Sequence, residues 1–326
     1  MVRVRLNWLA LPSLAPVGGA ALQGPRRPPE RRLSAALEGL SAQAQMAADG
    51  AGSMADSGAL HLQQAVKPVT EGVEPLLKVR GLGKVFGGLQ AVQDLDFEVY
   101  PGEIVAMIGP NGAGKTTVFN MLTATYRPTR GTMTFRGHEL GRLAPHQVTR
   151  LGLVRTFQNL KLFANMSALD NVKVGRYCRT RSGLAAAIAR MPWTKKEEHE
   201  IEERAMETLE FVGLADQAFE LAKSLPYGDQ KLLEIARGLA TDPTMILLDE
   251  PAAGLNSGES AELVKLVRKI RADGVTVMLI EHDMKVVMSI SERIVVLDHG
   301  VQIAEGTPAQ ICADQRVIDA YLGKAV

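Results

Sequence analysis

The segment GPNGAGKT, residues 109–116, has the residue types and the spacing of a phosphate-binding loop. Its glycines let the backbone curl so that successive N–H groups point at phosphate oxygens, and a following helix adds partial positive charge. Lys115 can place its ammonium against the β and γ phosphates, and Thr116 can offer its hydroxyl to Mg²⁺. Because the loop lies between a predicted strand and a predicted helix, nucleotide binding is favoured over a glycine turn with a chance lysine. The expected phosphate-binding residues are Gly109, Pro110, Asn111, Gly112, Ala113, Gly114, Lys115, Thr116 and Thr117.

Two adjacent carboxylates, Asp249 and Glu250, end the apolar run MILLDEP. Such a short continuous run is typical of a strand buried on both faces. In open α/β sheets ligands bind beyond the carboxyl ends of the strands, so we expect this pair to face the same nucleotide. Asp249 suits a Mg²⁺ partner, and Glu250 suits a general base or a group that positions water. An acidic strand-to-loop junction would explain one carboxylate more simply than it explains the pair.

Gln158 and His282 follow two further candidate strands. Gln158, in VRTFQNLKLF, can ligate Mg²⁺ or hold the attacking water, although an exposed glutamine is usually only solvated. His282 follows VTVMLIE, and a lone histidine is more often structural than catalytic. Its expected place at the same sheet edge as Asp249 favours a contact with the γ-phosphate.

The hexapeptide LPYGDQ, residues 225–230, precedes the amphipathic run KLLEIARGLA. The pattern predicts a turn that leads into a helix, and the N-terminus of that helix is suited to an anion. The chain already has a phosphate-binding loop more than a hundred residues upstream, so the phosphate that this second site would meet is not evident from the motif alone.

The order of the predicted elements indicates an α/β fold. Strands are predicted in LLKVRGL, LDFEVYPGEIVAMIG, GTMTFRG, TMILLDEP and VTVMLIEH, and IVVLDHGVQIAEG predicts a hairpin that turns at His299 and Gly300. A helical part is predicted over about residues 160–240, with Ile201, Ala205, Leu209 and Val212 on one helix face. This alternation predicts a mostly parallel sheet with an antiparallel part near its start and end.

Composition narrows the class of protein. The 326 residues are 46% apolar, and the net charge of +1 gives no sign of a nucleic-acid partner. Cys178 and Cys312 are far apart and show no metal-ligand spacing, which favours a reduced cytosolic chain. No apolar run approaches the roughly 20 residues that span a bilayer, so a membrane role would depend on partner proteins.

Residues 1–75 differ from the rest in being rich in Ala, Gly, Pro and Ser and in lacking sustained periodicity. We expect this segment to be a disordered N-terminal extension or an overextended start, with Met46 and Met54 as plausible true starts. A signal peptide is the other interpretation, but prolines interrupt its apolar stretch. We expect the folded domain to occupy residues 76–326.

The motifs taken together resemble an ATP-binding-cassette (ABC) ATPase, a P-loop NTPase, over essentially the whole predicted domain. They occur in the expected order: phosphate loop, Gln158, LPYGDQ, Asp249 and Glu250, PAAGLN and His282. Within that superfamily the chain is most similar to an ATPase subunit of branched-chain amino acid importers, on the evidence of KVFGGLQAV, RTFQNLKLF, LLDEPAAGLN, IEHDMKVV and EGTPAQICADQRVIDAYLG. The resemblance implies that Phe86 stacks on adenine, whereas a buried aromatic residue beside a strand would be the plainer explanation.

The resemblance also implies a role for LPYGDQ. Two cassettes would pack head to tail, so that Pro226, Tyr227, Gly228, Asp229 and Gln230 of one chain face the γ-phosphate bound by the other. The usual pattern of this family is Ser-Gly-Gly, whereas this chain has Pro226, Tyr227 and Gly228. Because Pro226 has neither hydroxyl nor N–H, one expected γ-phosphate contact is missing.

The resemblance implies ATP and Mg²⁺ as cofactors and a peripheral location on the cytoplasmic face of the inner (plasma) membrane. It implies a second ATPase subunit, two membrane-spanning permease chains, indirectly a solute-binding protein, and no nucleic acid. Urea, amide or lipid cargo stays open, as does a non-transport role in DNA repair or translation. A scaffold that binds ATP without hydrolysing it is a third possibility, against which Glu250 and His282 argue.

Overall fold

The structure is a computed structural model that describes residues 72–156, 160–179 and 192–322. Gln158 and almost all of the segment 1–75 lie outside the described residues, so the expected domain boundary near residue 75 stays a prediction. The strands are β1 (Leu77–Phe86), β2 (Leu89–Val99), β3 (Ile104–Ile108), β4 (Arg130–Phe135), β5 (His138–Glu139), β6 (Leu153–Arg155), β7 (Met245–Asp249), β8 (Thr276–Ile280), β9 (Arg293–Asp298) and β10 (Val301–Gly306). The α-helices are α1 (Lys115–Leu122), α2 (Pro145–Leu151), α3 (Ala168–Arg176), α4 (Pro192–Val212), α5 (Tyr227–Leu239), α6 (Ser257–Ala272), α7 (Met284–Ile290), α8 (Pro308–Ala313) and α9 (Gln315–Leu322).

A six-stranded sheet forms the centre of the molecule, with the strand order β10-β9-β3-β8-β7-β6. The pairs from β9 to β6 are parallel, and only β10 pairs antiparallel to its neighbour β9. All residues of β3, β7 and β8 are buried. This confirms the interpretation of MILLD and TVMLI as strands covered on both faces.

The two faces of this sheet belong to two separate hydrophobic clusters. Ile104, Ala106 and Ile108 of β3 pack in one cluster, and Val105 and Met107 pack in the other. Alternate side chains of a strand point to opposite faces, so β3 contributes to both clusters. The sheet is therefore a middle layer between two packed layers.

The antiparallel strands near the start of the chain form a sheet of their own, in the order β2-β1-β4-β5. The expectation of an antiparallel part near the start and the end is confirmed, but the first part is not an extension of the parallel sheet. Periodicity shows that a segment is a strand, whereas the partner of a strand depends on contacts distant in the sequence. The two sheets meet where the N–H of Gln93 donates to the carbonyl oxygen of Gly300 over 2.7 Å.

Helices α3, α4 and α5 form the helical part predicted for the middle of the chain. The stripe Ile201, Ala205, Leu209 and Val212 is buried, as its spacing predicted. Within the part of the chain that the structure describes, no helix is both long enough and apolar enough to cross a bilayer.

The sheet topology brings the predicted site residues to one edge. Strand β3 lies between β8 and β9, and the strands that follow it in the chain occupy both of its sides. Such a reversal of strand order opens a crevice at the carboxyl ends of the strands. The phosphate loop after β3, Glu250 after β7 and His282 after β8 all lie at that edge.

Candidate nucleotide-binding and hydrolysis site

The phosphate loop connects β3 to α1, and its close packing requires glycine at two positions. A Cβ atom on Gly109 would lie 2.0 Å from the carbonyl oxygen of Leu297, and one on Gly114 would lie 2.4 Å from that of Ala91. Gly114 also has a φ of 98°, a left-handed conformation that glycine adopts without strain. The loop therefore passes so close to β9 and β2 at the start of α1 that no side chain fits at these two positions.

Lys115 is 6% exposed and lies folded over its own loop. Its Nζ donates to the carbonyl oxygens of Gly109 at 2.6 Å and of Pro110 at 2.9 Å. Burial lowers the pKa of Lys115 to about 8, while the nearby charges of Glu250 and Asp249 act in the opposite direction. Phosphate groups in the loop would favour the charged ammonium by the same electrostatic attraction.

Glu250 and His282 lie in contact at the ends of neighbouring strands. The Nε2 atom of His282 is 2.8 Å from Oε1 of Glu250. Glu250 has a φ of 49°, which is uncommon for a residue other than glycine, and its N–H donates to the carbonyl oxygen of Ile280 over 2.9 Å. Such strain is often found at functional sites.

Asp249 is 1% exposed and is held by a residue that the sequence analysis did not select. Its Oδ2 accepts from Arg155 over 2.6 Å, and the other terminal nitrogen of Arg155 donates to Oδ1 of Asn120 over 2.6 Å. Oδ1 of Asp249 is buried and has no hydrogen-bond partner among the described residues. A buried acceptor of this kind fits a Mg²⁺ ion or its water, together with the hydroxyl of Thr116.

Glu281 is a second buried acid that the sequence analysis missed, with 3% exposure. It accepts from the backbone N–H groups of Ala252 at 2.6 Å, His282 at 2.9 Å and Asp283 at 3.4 Å. Burial raises the pKa of Glu281, and these three N–H groups oppose that rise. Its place next to His282 was the available sequence signal, but the buried contacts depend on a distant loop.

A cavity of about 580 Å³ opens beside the phosphate loop. Its walls include residues 111–117 as well as Glu250, His282 and Phe86. Phe86 is 39% exposed, which excludes the plainer interpretation of a buried aromatic residue. The ring of Tyr126 meets it edge-on with 5.3 Å between centroids, and Nζ of Lys84 lies 4.9 Å from its centre. Phe86 is thus in a position suited to an adenine base, and Tyr126 is a neighbour that the sequence did not indicate.

The hexapeptide 225–230 lies apart from this cavity. The predicted helix is present, but α5 begins at Tyr227, four residues before the amphipathic run that indicated it, so most of the predicted turn is its first turn; Pro226 precedes the helix with a φ of −53°. Gln230 Nε2 donates to the carbonyl oxygen of Leu225 at 2.8 Å, and Asp229 accepts from Gln217 at 3.0 Å. Among the described residues, those that line the cavity include none from this hexapeptide.

Tyr227 is 47% exposed and reaches the loop after β7. Its hydroxyl donates to the carbonyl oxygen of Ala253 over 3.4 Å. Gly228 is buried, and a Cβ atom there would lie 3.1 Å from Oε1 of Glu259. The hexapeptide therefore has a fixed place beside the loop that follows the catalytic carboxylate candidates.

Comparisons with known proteins agree with this geometry. Residues 92–253 match the family described as ABC transporter, and residues 301–326 match the family described as branched-chain amino acid ATP-binding cassette transporter. The chain is 48% identical over 253 residues to the high-affinity branched-chain amino acid transport ATP-binding protein LivG of Escherichia coli (strain K12). The aligned region covers 77% of this chain and 99% of LivG.

Two solved structures share the fold. The ADP conformation of MJ1267, an ATP-binding cassette of an ABC transporter, matches with a TM-score of 0.68 at 31% identity, and the match covers 77% of this chain and 100% of that one. A dimeric cassette in a post-hydrolysis state, bound to ADP and Pi, has a TM-score of 0.61 at 26% identity, covering 71% of this chain and 98% of its own.

The fold and the site define a P-loop ATPase with an antiparallel sheet, a central parallel sheet and a helical part. The chain belongs to the ATP-binding-cassette transporter family and is one of its ATP-hydrolysing subunits.

Proposed function

We propose that this chain supplies the energy for an importer of branched-chain or other hydrophobic amino acids. The similarity to LivG, whose name gives branched-chain amino acid transport, supports the cargo. The 2.8 Å contact between Glu250 and His282 at the edge of the cavity is the observation that carries the hydrolytic role. Phe86 would stack on the adenine, and Lys115 would bind the β and γ phosphates.

In this proposal Glu250 orients or deprotonates the attacking water, and His282 holds Glu250 and contacts the γ-phosphate. Thr116 and Asp249 would hold Mg²⁺, which supplies charge neutralisation at the phosphates, and Gln158 is a further candidate ligand. The buried Oδ1 of Asp249 supports this assignment. For Glu250, accepting a proton from the attacking water requires a position close to the γ-phosphate, and Glu250 lines the cavity beside the phosphate loop.

The chain would act with a second ATPase subunit arranged head to tail. The hexapeptide 225–230 lies outside its own chain's cavity, although it contains the first turn of α5, and a helix N-terminus suits an anion. It would complete the site of the partner cassette through the N-terminus of α5, whereas the missing side chain of the buried Gly228 leaves room for Glu259 of the same chain. The dimeric cassette bound to ADP and Pi shows that a related protein dimerises.

Permease chains would dock on the helical part, on the cytoplasmic face of the membrane, with a solute-binding protein acting through them. Phe163, Phe219 and Leu221 are 49%, 78% and 40% exposed. Their segments lie side by side, because Ala168 N–H donates to the carbonyl oxygen of Glu220 at 2.9 Å and Ala222 N–H to that of Met166 at 3.0 Å. Apolar side chains exposed together favour a protein interface.

The cargo is tested by uptake of labelled leucine in cells that lack this chain. Uptake should return with the wild-type chain and not with Glu250→Gln, although both accumulate to the same level. Competition with isoleucine and valine should reduce the signal. Normal leucine uptake in the deleted cells, together with lost uptake of urea, an amide or a lipid, would show that the assigned cargo is wrong.

A further inference from the structure

Glu281 is a buried carboxylate outside the set of residues that would touch ATP. It follows β8 and precedes His282, and it is 3% exposed. Its Oε1 accepts from Ala252 N–H at 2.6 Å, and its Oε2 accepts from His282 N–H at 2.9 Å. Both oxygens are therefore used, and by two different loops.

These two loops carry the reactive pair. Ala252 lies two residues after Glu250 in the loop that follows β7, whereas His282 is itself in the loop that follows β8. The regular pairing of β7 with β8 ends at Asp249 and Ile280. Beyond it, the Glu250 N–H bond to the carbonyl oxygen of Ile280 and the carboxylate of Glu281 connect the two loops.

We infer that Glu281 is a positioning residue that holds the loop of Glu250 against the loop of His282. The inference rests on the proposed roles of those two residues in hydrolysis. With both loops fixed from behind, the 2.8 Å contact between His282 and Glu250 is preset before ATP arrives. Preset geometry of this kind matters because a displacement of about 1 Å can cost roughly 10²-fold in rate.

The chemistry of the side chain explains why a carboxylate is needed. An ionised carboxylate has two acceptor oxygens, whereas an amide has one oxygen and a donor NH₂ group. In Glu281→Gln the oxygen can serve Ala252 or His282, and the NH₂ group then faces an N–H donor on the other side. One loop is released while the volume of the side chain stays nearly unchanged.

The test compares ATP turnover of the assembled complex with ATP binding by the chain. Glu281→Gln should lower kcat by about 10- to 100-fold, in keeping with the cost of small displacements. The KM for ATP and the ATP affinity of the isolated chain should stay within about twofold of wild type. Glu281→Asp, which keeps the charge but is too short to reach both loops, should move kcat in the same direction. It is the second variant if Glu281→Gln does not fold.

A double-mutant cycle separates positioning from a general loss of stability. If Glu281 acts by presetting the contact between Glu250 and His282, then Glu281→Gln should change kcat by less than about twofold in the His282→Ala background, where that contact is absent. Glu103→Gln is the control: Glu103 also accepts a backbone N–H, from Tyr100 at 3.0 Å, and it pairs with Arg293 at 2.8 Å, but it precedes β3 at the amino-terminal end of the parallel strands. It should lower the melting temperature without changing kcat.

The outcomes are distinct. A kcat within twofold of wild type for Glu281→Gln and Glu281→Asp would overturn the inference. So would a fall in kcat on Glu281→Gln that is equally large in the wild-type and the His282→Ala backgrounds. If Glu250→Gln and His282→Ala themselves retain normal turnover, the proposed catalytic roles fail first and the inference fails with them.

Discussion

Arg155 and Asp249 form a buried ion pair across two neighbouring strands, with 2.6 Å between nitrogen and oxygen and side chains that are 7% and 1% exposed. The guanidinium also reaches Asn120 on the helix that follows the phosphate loop, and it lies 5.7 Å from the centre of the Phe119 ring. One side chain thereby connects β6, β7 and α1. This arrangement fixes the carboxylate that we propose as a Mg²⁺ ligand.

Arg155→Met should lower the stability of the isolated chain by about 3–5 kcal/mol, because it leaves a buried carboxylate without its cation. Chemical denaturation measures the change. Arg204→Met is the matched control, since Arg204 and Glu207 form an exposed pair with side chains 65% and 61% exposed. That variant should change stability by about 0–1 kcal/mol. Similar effects of the two variants would contradict the assignment of a special role to the buried pair.

Strands and turns with a local signal could be predicted from the sequence. The apolar runs of β7 and β8 predicted burial on both faces, and His299 and Gly300 predicted the last hairpin, where they have φ values of 44° and 82°. The phosphate loop has a spacing that a sequence shows directly. Glu250 and His282 could be placed because the ends of parallel strands meet at one edge.

Residues that act through distant contacts could not be predicted in this way. Arg155 meets Asp249 across 94 residues, and Glu281 meets Ala252 across 29. A single charge near the end of a strand is usually solvated, so neither residue has a pattern of its own. The separate antiparallel sheet was missed for the same reason, because strand partners are set by tertiary contacts.

Glu250→Gln should bind ATP normally and lose turnover by about 10²–10⁴-fold, the usual contribution of a general base. The amide can still contact His282, so the loss would report the missing carboxylate rather than a displaced loop. Turnover of the assembled complex and ATP binding are measured together. Glu262→Gln, on the exposed face of α6, is the control and should match wild type. Near-normal turnover of Glu250→Gln would exclude Glu250 as the group that activates water.

ATP binding should be coupled to proton uptake above pH 8. Burial lowers the pKa of Lys115 from 10.5 to about 8 in the chain alone, and bound phosphates should restore the ammonium. The same shift affects folding stability. Between about pH 8 and pH 10.5 the unfolded chain binds more protons than the folded chain, so the contribution of Lys115 to the free energy of unfolding rises with pH over this range. The affinity for ATP should fall as pH rises through about 8, because the lysine of the free chain then loses its proton.

Titration calorimetry at pH 8.5 in two buffers of different ionisation enthalpy measures the proton uptake. Lys115→Arg is the control, because a guanidinium does not titrate in this range. Equal apparent enthalpies in the two buffers for the wild-type chain would show that Lys115 is already charged without nucleotide.

Phe219→Asp should prevent assembly with permease chains without affecting the isolated ATPase. Phe219 is 78% exposed, so the substitution buries no charge in the isolated chain. Co-purification from membranes should be lost while melting temperature and ATP affinity are kept. Val301→Asp changes an exposed apolar residue on β10, away from the helical part, and should leave assembly intact. Equal retention of permease by both variants would place the docking surface elsewhere.

The head-to-tail arrangement predicts that substitutions in LPYGDQ affect the partner's ATP site and not the chain's own. Gly228→Asp should abolish turnover of the dimer, because a carboxylate would repel the γ-phosphate, while isolated ATP binding persists. Lys115→Ala should instead remove isolated binding. Since a Cβ atom on Gly228 would lie 3.1 Å from Oε1 of Glu259, the aspartate also disturbs that neighbour, and Gly228→Ala controls for the added bulk. If isolated binding collapses in a Gly228→Asp chain that is still folded, the hexapeptide serves its own nucleotide.

Pro226→Ser tests the head-to-tail dimer by a gain of function, whereas Gly228→Asp tests it by a loss. A serine hydroxyl facing the partner's γ-phosphate should strengthen closure of the dimer by about 0.5–1.5 kcal/mol if it forms one hydrogen bond. Pro226 is also the residue that precedes the first turn of α5, where no side chain caps the helix, so serine can instead cap its own helix with about 1 kcal/mol.

The two effects separate by experiment, because capping raises the melting temperature of the isolated chain and the phosphate contact does not. An ATP-dependent gain in dimer affinity at unchanged melting temperature supports the composite site. A gain in melting temperature alone assigns the hydroxyl to the helix and removes this support for a contact with the partner's phosphate.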